Sequence, residues 1–125
     1  MRRDLDLIRH LLLTLEGEVK YLETEAIEVE ARFKENYKDY EGECNEHYRW
    51  LAEAGLIEGK TIKRADGYVA IYPERLTWKG TEYLESIRDK KIWAEVKKQL
   101  SRIGSFTLPI VQSIAENIIR AMLKI

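Results

Sequence analysis

The sequence predicts a mainly helical fold with a small β-hairpin, arranged as a winged helix-turn-helix with a C-terminal helical extension. Apolar residues recur at three- and four-residue spacing in several segments, which is the period of helices that pack on one side. Asp66-Gly67 lies between two β-prone runs and indicates a tight hairpin. The resulting order of helix, short strand, two helices, hairpin and helix is that of a winged helix.

The first part of the chain divides into short elements. Asp4 is a natural N-cap for an opening helix that Gly17 ends. The alternation of Ile27-Glu28-Val29-Glu30 predicts a short, half-buried strand whose glutamates face water. Aromatic residues one turn apart then predict a second helix, and Gly42 marks its break from a third. Those aromatic residues are Phe33, Tyr37 and Tyr40.

The third helix leads directly into the hairpin. It covers about residues 43–54, and Gly55 fits the left-handed position that closes a helix. The hairpin strands are predicted over residues 56–63 and 68–72, with Pro73 ending the second strand.

Helices account for the rest of the chain. Thr77 is predicted to be the N-cap of a long helical region. Gly80 permits the first turn of this helix to approach the rest of the domain closely, and residues 89–91 allow a break in the helix. A last helix starts at Thr107 or Ser105 and tolerates a proline in its first turn.

Composition limits what kind of protein this is. The chain has 125 residues, 45% of them hydrophobic, which is the size and balance of one soluble domain. Its single cysteine, Cys44, cannot form an internal disulfide, which suits a reducing compartment. No apolar run approaches the roughly 20 residues that cross a bilayer, and Asp4 and Asp6 interrupt any signal peptide. We therefore expect a cytoplasmic protein without a membrane segment.

Charge is distributed unevenly although the net charge is only −1. Residues 1–58 contain 8 basic and 15 acidic side chains, and residues 59–125 contain 13 basic and 7 acidic ones. The two parts therefore have net charges of −7 and +6. An average over the whole chain hides this polarity.

Two short motifs strengthen the winged-helix prediction. The run from Leu51 to Ile57, followed by the hairpin and by the run from Leu76 to Leu84, resembles a pattern common among winged helix-turn-helix regulators. The chain is also similar to an uncharacterised family of small phage and bacterial proteins, domain of unknown function 2513. That similarity lies in the opening run Arg3 to Arg9, in His47 ahead of Ala54-Gly55-Leu56-Ile57, and in Leu76-Thr77-Trp78-Lys79-Gly80. The resemblance implies a winged-helix fold and a phage or prophage origin, and it supplies no catalytic residues.

Enzymatic sites are poorly supported by the residues. The run from Gly55 to Thr61 has three residues between its glycines and leads into a hairpin, whereas a phosphate-binding loop needs four and a following helix. Cys44 and His47 lie three apart, but the only other histidine is His10, which leaves a zinc site short of ligands. We expect no enzyme activity, no cofactor and no metal.

DNA binding is the first of two functional hypotheses. The third helix would enter the major groove of double-stranded DNA while the hairpin meets phosphates. The candidate contacts are Asn45, Arg49, Lys60, Lys63 and Arg64. The nearby glutamates oppose this function, because phosphate contacts supply most non-specific affinity.

The alternative hypothesis is an acidic protein-interaction module that imitates nucleic acid or inhibits a basic host or defence factor. Complementary charge would speed such an encounter. The candidate surface is Glu28, Glu30, Glu41, Glu43 and Glu46.

The C-terminal part suggests self-association. We assign residues 1–88 to the winged-helix domain and residues 89–125 to the helical extension. Apolar residues cover more than one stripe of the last helix, so it should be largely covered, either within the monomer or by a second copy. We expect a homodimer formed through residues 92–125.

Overall fold

A computed structural model describes residues 2–104 and 106–124. Within these ranges the fold is mainly helical, with seven helices and one two-stranded antiparallel sheet. The elements are α1 (Leu5–Glu16), α2 (Val19–Thr24), α3 (Ala26–Asn36), α4 (Tyr40–Glu53), β1 (Ile57–Lys63), β2 (Val69–Leu76), α5 (Trp78–Ile87), α6 (Lys90–Ile103) and α7 (Leu108–Leu123). The chain divides into two compact units, Met1–Gly80 and Thr81–Ile125, so α5 begins in the first unit and continues into the second.

Helix α1 organises the first unit. The Asp4 carboxylate accepts hydrogen bonds from the backbone N–H groups of Asp6 and Leu7, and Gly17 closes the helix with φ of 75°, as predicted. α1 packs against α2, α3, α4 and β2. The buried side chains of α1 are Leu7, Ile8, His10, Leu11, Leu12 and Leu13.

The strand predicted at Ile27-Glu28-Val29-Glu30 is wrong, because these residues form the first turns of α3. Ile27 is 77% exposed, so the alternation of apolar and polar residues has no relation to the buried side. The buried residues of α3 are Ala26 and Phe33, seven positions or about two helical turns apart, so both lie on one side of the helix. The short helix α2 also occupies a stretch for which no element was predicted.

Helix α4 begins earlier than predicted. Asp39 caps it by accepting a hydrogen bond from the Gly42 N–H, so Gly42 lies within its first turn and does not separate two helices. Tyr37 instead caps the C-terminal end of α3. Gly55 adopts φ of 79° just after α4, as predicted, and the chain turns directly into β1.

The hairpin forms as predicted, but its second strand is longer. Gly67 has φ of 88°, and the Asp66 carboxylate accepts from the Tyr68 N–H, which completes the turn. Pro73 lies inside β2 and does not end it. Pro73 is tolerated because it faces Gly59 beside a register irregularity, on the outer edge of a strand where no ladder bond needs its missing N–H.

The start of α5 matches the prediction from Thr77 and Gly80. The Thr77 hydroxyl accepts from the Gly80 N–H at 3.1 Å. A Cβ added to Gly80 would lie 1.9 Å from the Leu56 carbonyl oxygen, so only glycine permits this approach.

The second unit contains most of α5 together with α6 and α7, and α6 packs against α7. Asp89 caps α6 and Gly104 closes it with φ of 81°, which confirms the predicted break near residues 89–91. Thr107 caps α7, whereas the alternative cap Ser105 lies outside the described residues. Among the described helices, none is long and apolar enough to span a membrane.

Candidate functional site

The centre of α4 is tied to the hairpin by one side chain. The Asn45 amide nitrogen donates to the Val69 carbonyl at 3.0 Å, and its amide oxygen accepts from the Ile71 N–H at 2.7 Å. Asn45 therefore satisfies two backbone groups on the outer edge of β2. Both polar ends of the side chain that was predicted to contact a base are engaged with the protein itself.

A groove of about 610 Å³ lies between the start of α4 and the tip of the hairpin. Two basic and three acidic residues line this groove, and one of the basic residues, Arg49, forms an ion pair with one of the acidic residues, Glu46. The lining residues with charge are Lys38, Asp39, Glu43, Glu46 and Arg49. The exposed side of α4 therefore offers no excess of positive charge for phosphates.

Below this groove, a buried histidine connects α4 to the start of α1. His47 is fully buried; its Nε2 accepts from the Asp4 N–H at 2.9 Å, and its Nδ1 lies 2.8 Å from the Glu43 carbonyl. The Tyr37 hydroxyl donates to the Asp4 carboxylate at 2.6 Å. These bonds orient α4 relative to α1, which gives His47 a structural role.

Cys44 is half-buried on the same helix. Burial raises the pKa of its thiol and outweighs the hydrogen bond with Tyr40, which lowers it, while the carboxylates of Glu30, Glu43 and Glu41 also raise it. A nucleophilic cysteine needs a depressed pKa, so this environment favours an unreactive thiol. No group of three metal-ligating side chains capable of holding an ion occurs in the described part of the chain.

The register of the hairpin assigns each residue to a face. The Arg64 N–H donates to the Tyr68 carbonyl at 2.7 Å, and pairing continues two residues on with Ile62 opposite Ala70 and Lys60 opposite Tyr72. Because side chains alternate along a strand and paired residues share a face, these residues lie together on one side. We call this surface the tyrosine face and define it as Lys60, Ile62, Arg64, Tyr68, Ala70 and Tyr72.

The tyrosine face is open to solvent. Tyr72 is 64% exposed and Ile62 45% exposed, and neither is covered as a core residue would be. The Arg64 guanidinium lies 5.3 Å from the centre of the Tyr68 ring. Lys63 belongs to the opposite face, where it pairs with Val69.

Two of the predicted hairpin cations have nearby carboxylates. Lys60 lies 3.9 Å from Glu74, and Arg64 lies 3.5 Å from Asp66. All four side chains are at least half exposed, and such pairs contribute only about 0–1 kcal/mol. A phosphate could replace either carboxylate as a partner at small cost.

The predicted acidic residues occupy two helices. Glu28 and Glu30 lie on α3, and Glu30 pairs with Lys34 at 3.0 Å. The remaining three, Glu41, Glu43 and Glu46, lie on α4. Glu43 is 15% exposed and lies 3.7 Å from the His47 ring, so it belongs to the interior more than to a surface.

Comparison with known proteins gives the family. The family described as Hypothetical protein (DUF2513) matches residues 2–106. The chain belongs to this family. A relative from Haemophilus influenzae strain Rd, described as an uncharacterized protein, is 30% identical over 98% of this chain and 99% of its own length. No solved structure matches the chain.

The two tyrosines of the hairpin of this DUF2513 chain were not predicted as contact residues. Asp66-Gly67 indicates a turn but leaves the loop length open, because a two-residue loop would pair Ala65 with Tyr68 and Arg64 with Val69. The structure has a three-residue loop in which the Gly67 N–H donates to the Arg64 carbonyl, so Arg64 lies opposite Tyr68 and Lys60 opposite Tyr72.

Proposed function

We propose that this DUF2513 protein is a non-enzymatic, winged-helix DNA-binding regulator of phage or prophage type, in which the hairpin makes the principal contact. The winged-helix domain lies within residues 1–88. The order of α1, α3, α4, β1, β2 and α5, with a short turn between α3 and α4, supports this architecture. The fold alone is a weak argument for function, so the surface must provide the rest.

The single observation behind the proposal is the tyrosine face. Cations and aromatic rings alternate across it, with Lys60 beside Tyr72 and Arg64 beside Tyr68. Cations contact phosphates, while aromatic side chains in a groove of duplex DNA pack against sugars and thymine methyl groups. A two-stranded β-ribbon also fits the width of the major groove of B-DNA, which is about 12 Å.

The hairpin is a better candidate than α4 for the contact. Asn45 is engaged with β2, and Arg49 is engaged with Glu46. Moving Asn45 to a base would break its hydrogen bonds to the Ile71 N–H and the Val69 carbonyl, each of which contributes about 0.5–1.5 kcal/mol net. We therefore assign Asn45 to positioning the hairpin.

Two lysines on opposite faces of β1 provide a matched test. Lys60→Gln and Lys63→Gln remove the same charge from the same strand, and the affinity for a random-sequence duplex is measured by fluorescence anisotropy at low salt. We expect Lys60→Gln, and more strongly Tyr72→Ala, to weaken binding, whereas Lys63→Gln has the smaller effect. Equal effects of the two lysine variants, or no binding by the wild-type protein, would exclude the tyrosine face as the DNA contact.

The acidic protein-interaction module is a second candidate, and one observation favours it. Glu28 and Glu41 are exposed and form no ion pair with the described residues. A basic partner would compensate both charges. Binding to a model basic peptide, oligoarginine, should be lost in the double variant Glu28→Gln, Glu41→Gln. It should be retained in a control variant, Glu82→Gln, Glu116→Gln. Equal loss of binding in both variants would indicate non-specific charge attraction.

A homodimer formed through residues 92–125 also remains a proposal. Only Val111 and Ala115 are buried on α7, while Ile110, Met122 and Leu123 are exposed. A second copy covering this apolar surface would remove it from water. Light scattering should then give twice 14.7 kDa at micromolar concentration, and a mass of 14.7 kDa would contradict the dimer.

A further inference from the structure

The outward side of α6 concentrates positive charge. The helix contains five basic residues and one acidic residue, a net charge of +4 over 14 residues. Its basic residues are Lys90, Lys91, Lys97, Lys98 and Arg102. None of the DNA contacts predicted from the sequence lies on this helix.

The apolar side of α6 is already used. Trp93, Val96 and Leu100 are at least 93% buried and fix which way the helix faces. At about 100° per residue, Lys91, Lys98 and Arg102 fall within about 40° of one line, roughly opposite that buried side. We call these three residues the cationic line. It extends over about 16 Å, because each residue rises 1.5 Å along the helix.

None of the three cations of the cationic line is held in an ion pair with a described residue, although Glu95 lies on the same side of the helix, four residues after Lys91 and three before Lys98. On α3, α4 and the hairpin, Lys34, Arg49, Lys60 and Arg64 each lie in an ion pair with a carboxylate. No carboxylate of the described residues lies within ion-pair distance of Lys91, Lys98 or Arg102. The helix's one acidic residue, Glu95, instead accepts a hydrogen bond from Gln99 at 3.4 Å.

The chemistry of this surface selects its partner. Three aligned cations on a helix of net charge +4 fit a regular row of negative charges, as a polyanion presents. A lipid surface fits less well, because a helix that binds membranes inserts its apolar side, and here that side is buried in protein.

We propose that the cationic line of α6 binds the sugar-phosphate backbone of double-stranded DNA without reading its sequence. This inference rests on the proposed function only in sharing its ligand, since the tyrosine face lies on a different element. Such a contact adds affinity and salt dependence but contributes no base specificity.

The test measures how the affinity for a random-sequence duplex depends on salt, using the full chain. Each phosphate contact contributes about 0.9 to the slope of log affinity against log salt. The triple variant Lys91→Gln, Lys98→Gln, Arg102→Gln should therefore reduce the slope by up to about 2.7. A control variant with the same loss of charge elsewhere, Lys20→Gln, Arg32→Gln, Lys124→Gln, should change the slope by less than about 1. The variant Lys91→Arg, Lys98→Arg preserves the charge and should keep the wild-type slope.

The outcomes separate this inference from the proposed function. An unchanged slope in the triple variant, with Lys60→Gln still weakening binding, overturns the cationic line alone. A reduced slope with no effect of Lys60→Gln supports the cationic line and overturns the tyrosine face. Preferential, α6-dependent binding to vesicles containing phosphatidylserine or to polyglutamate, without binding to the duplex, overturns the inference in favour of a lipid or an acidic protein. Circular dichroism establishes that each variant is folded.

Discussion

Replacing Asn45 tests the coupling between α4 and the hairpin. Asn45→Ala removes two hydrogen bonds to β2, at 3.0 and 2.7 Å. Each such bond contributes about 0.5–1.5 kcal/mol net, which gives a loss of about 1–3 kcal/mol. Alanine is the better helix former by up to about 0.7 kcal/mol, so the expected net loss of unfolding free energy is about 1–2 kcal/mol.

Urea unfolding measures this loss, and a second asparagine provides its control. Asn117 lies on α7 and accepts one bond at 3.3 Å from Arg120, so Asn117→Ala reports mainly the gain in helix propensity. Asn45→Ala should lower the unfolding midpoint by roughly 0.5–1.5 M relative to that control, for a slope of about 2 kcal/mol per molar urea. Amide hydrogen exchange at Ile71 should accelerate at the same time.

Asn45→Asp examines the geometry more closely. The aspartate keeps an oxygen for the Ile71 N–H but places a second oxygen against the Val69 carbonyl. It should therefore be at least as destabilising as Asn45→Ala at neutral pH. If Asn45→Ala is as stable as Asn117→Ala, and exchange at Ile71 is unchanged, Asn45 does not hold the hairpin against α4.

Two further predictions concern the first unit. Gly80→Ala should destabilise the protein by about 1–3 kcal/mol, because its Cβ would lie 1.9 Å from the Leu56 carbonyl oxygen. Ser113→Ala on α7 serves as a neutral control. Equal unfolding midpoints of the two variants would contradict this close approach. Burial lowers the pKa of His10 below its usual 6.5, so the unfolded chain binds a proton that the folded protein resists. Stability should consequently decline as pH falls below 6.5, and the decline from about pH 7.5 to about pH 5.5 should be smaller in His10→Gln; equal declines would show that His10 is not responsible.

The parts of the fold that depend on local chemistry were predictable from the sequence. Asp4, Gly17 and Gly55 act through their own backbone geometry and nearest neighbours, so the helix boundaries they set follow from residue type. Asp66-Gly67 likewise predicts the turn, whereas the three-residue loop that pairs Arg64 with Tyr68 is seen only in the structure.

The errors arose where tertiary packing decides. Ile27-Glu28-Val29-Glu30 alternates like a strand, but four residues are too few to outweigh the helical spacing of Ala26 and Phe33 in the core. Pro73 would end a central strand, yet β2 is an edge strand at that position.

The candidate site was less predictable than the fold. Lys60 and Arg64 could be named from composition, but the engagement of Asn45 depends on where β2 lies relative to α4, which no local pattern encodes. The cationic line was hidden in the net charge of +6 over residues 59–125. It emerges only when Trp93, Val96 and Leu100 establish which side of α6 is buried.

The bonds from Asn45 to Val69 and Ile71 also bear on how this protein avoids aggregation. A two-stranded sheet has two edges, and a growing stack of chains needs both, since each added strand must offer a further edge to the next. Here the Asn45 amide takes the place of a neighbouring strand along β2, and Pro73 further along the same strand has no N–H to donate. Two copies could join through β1, but the pair would offer no further edge, so strand addition through an intact hairpin stops at a dimer.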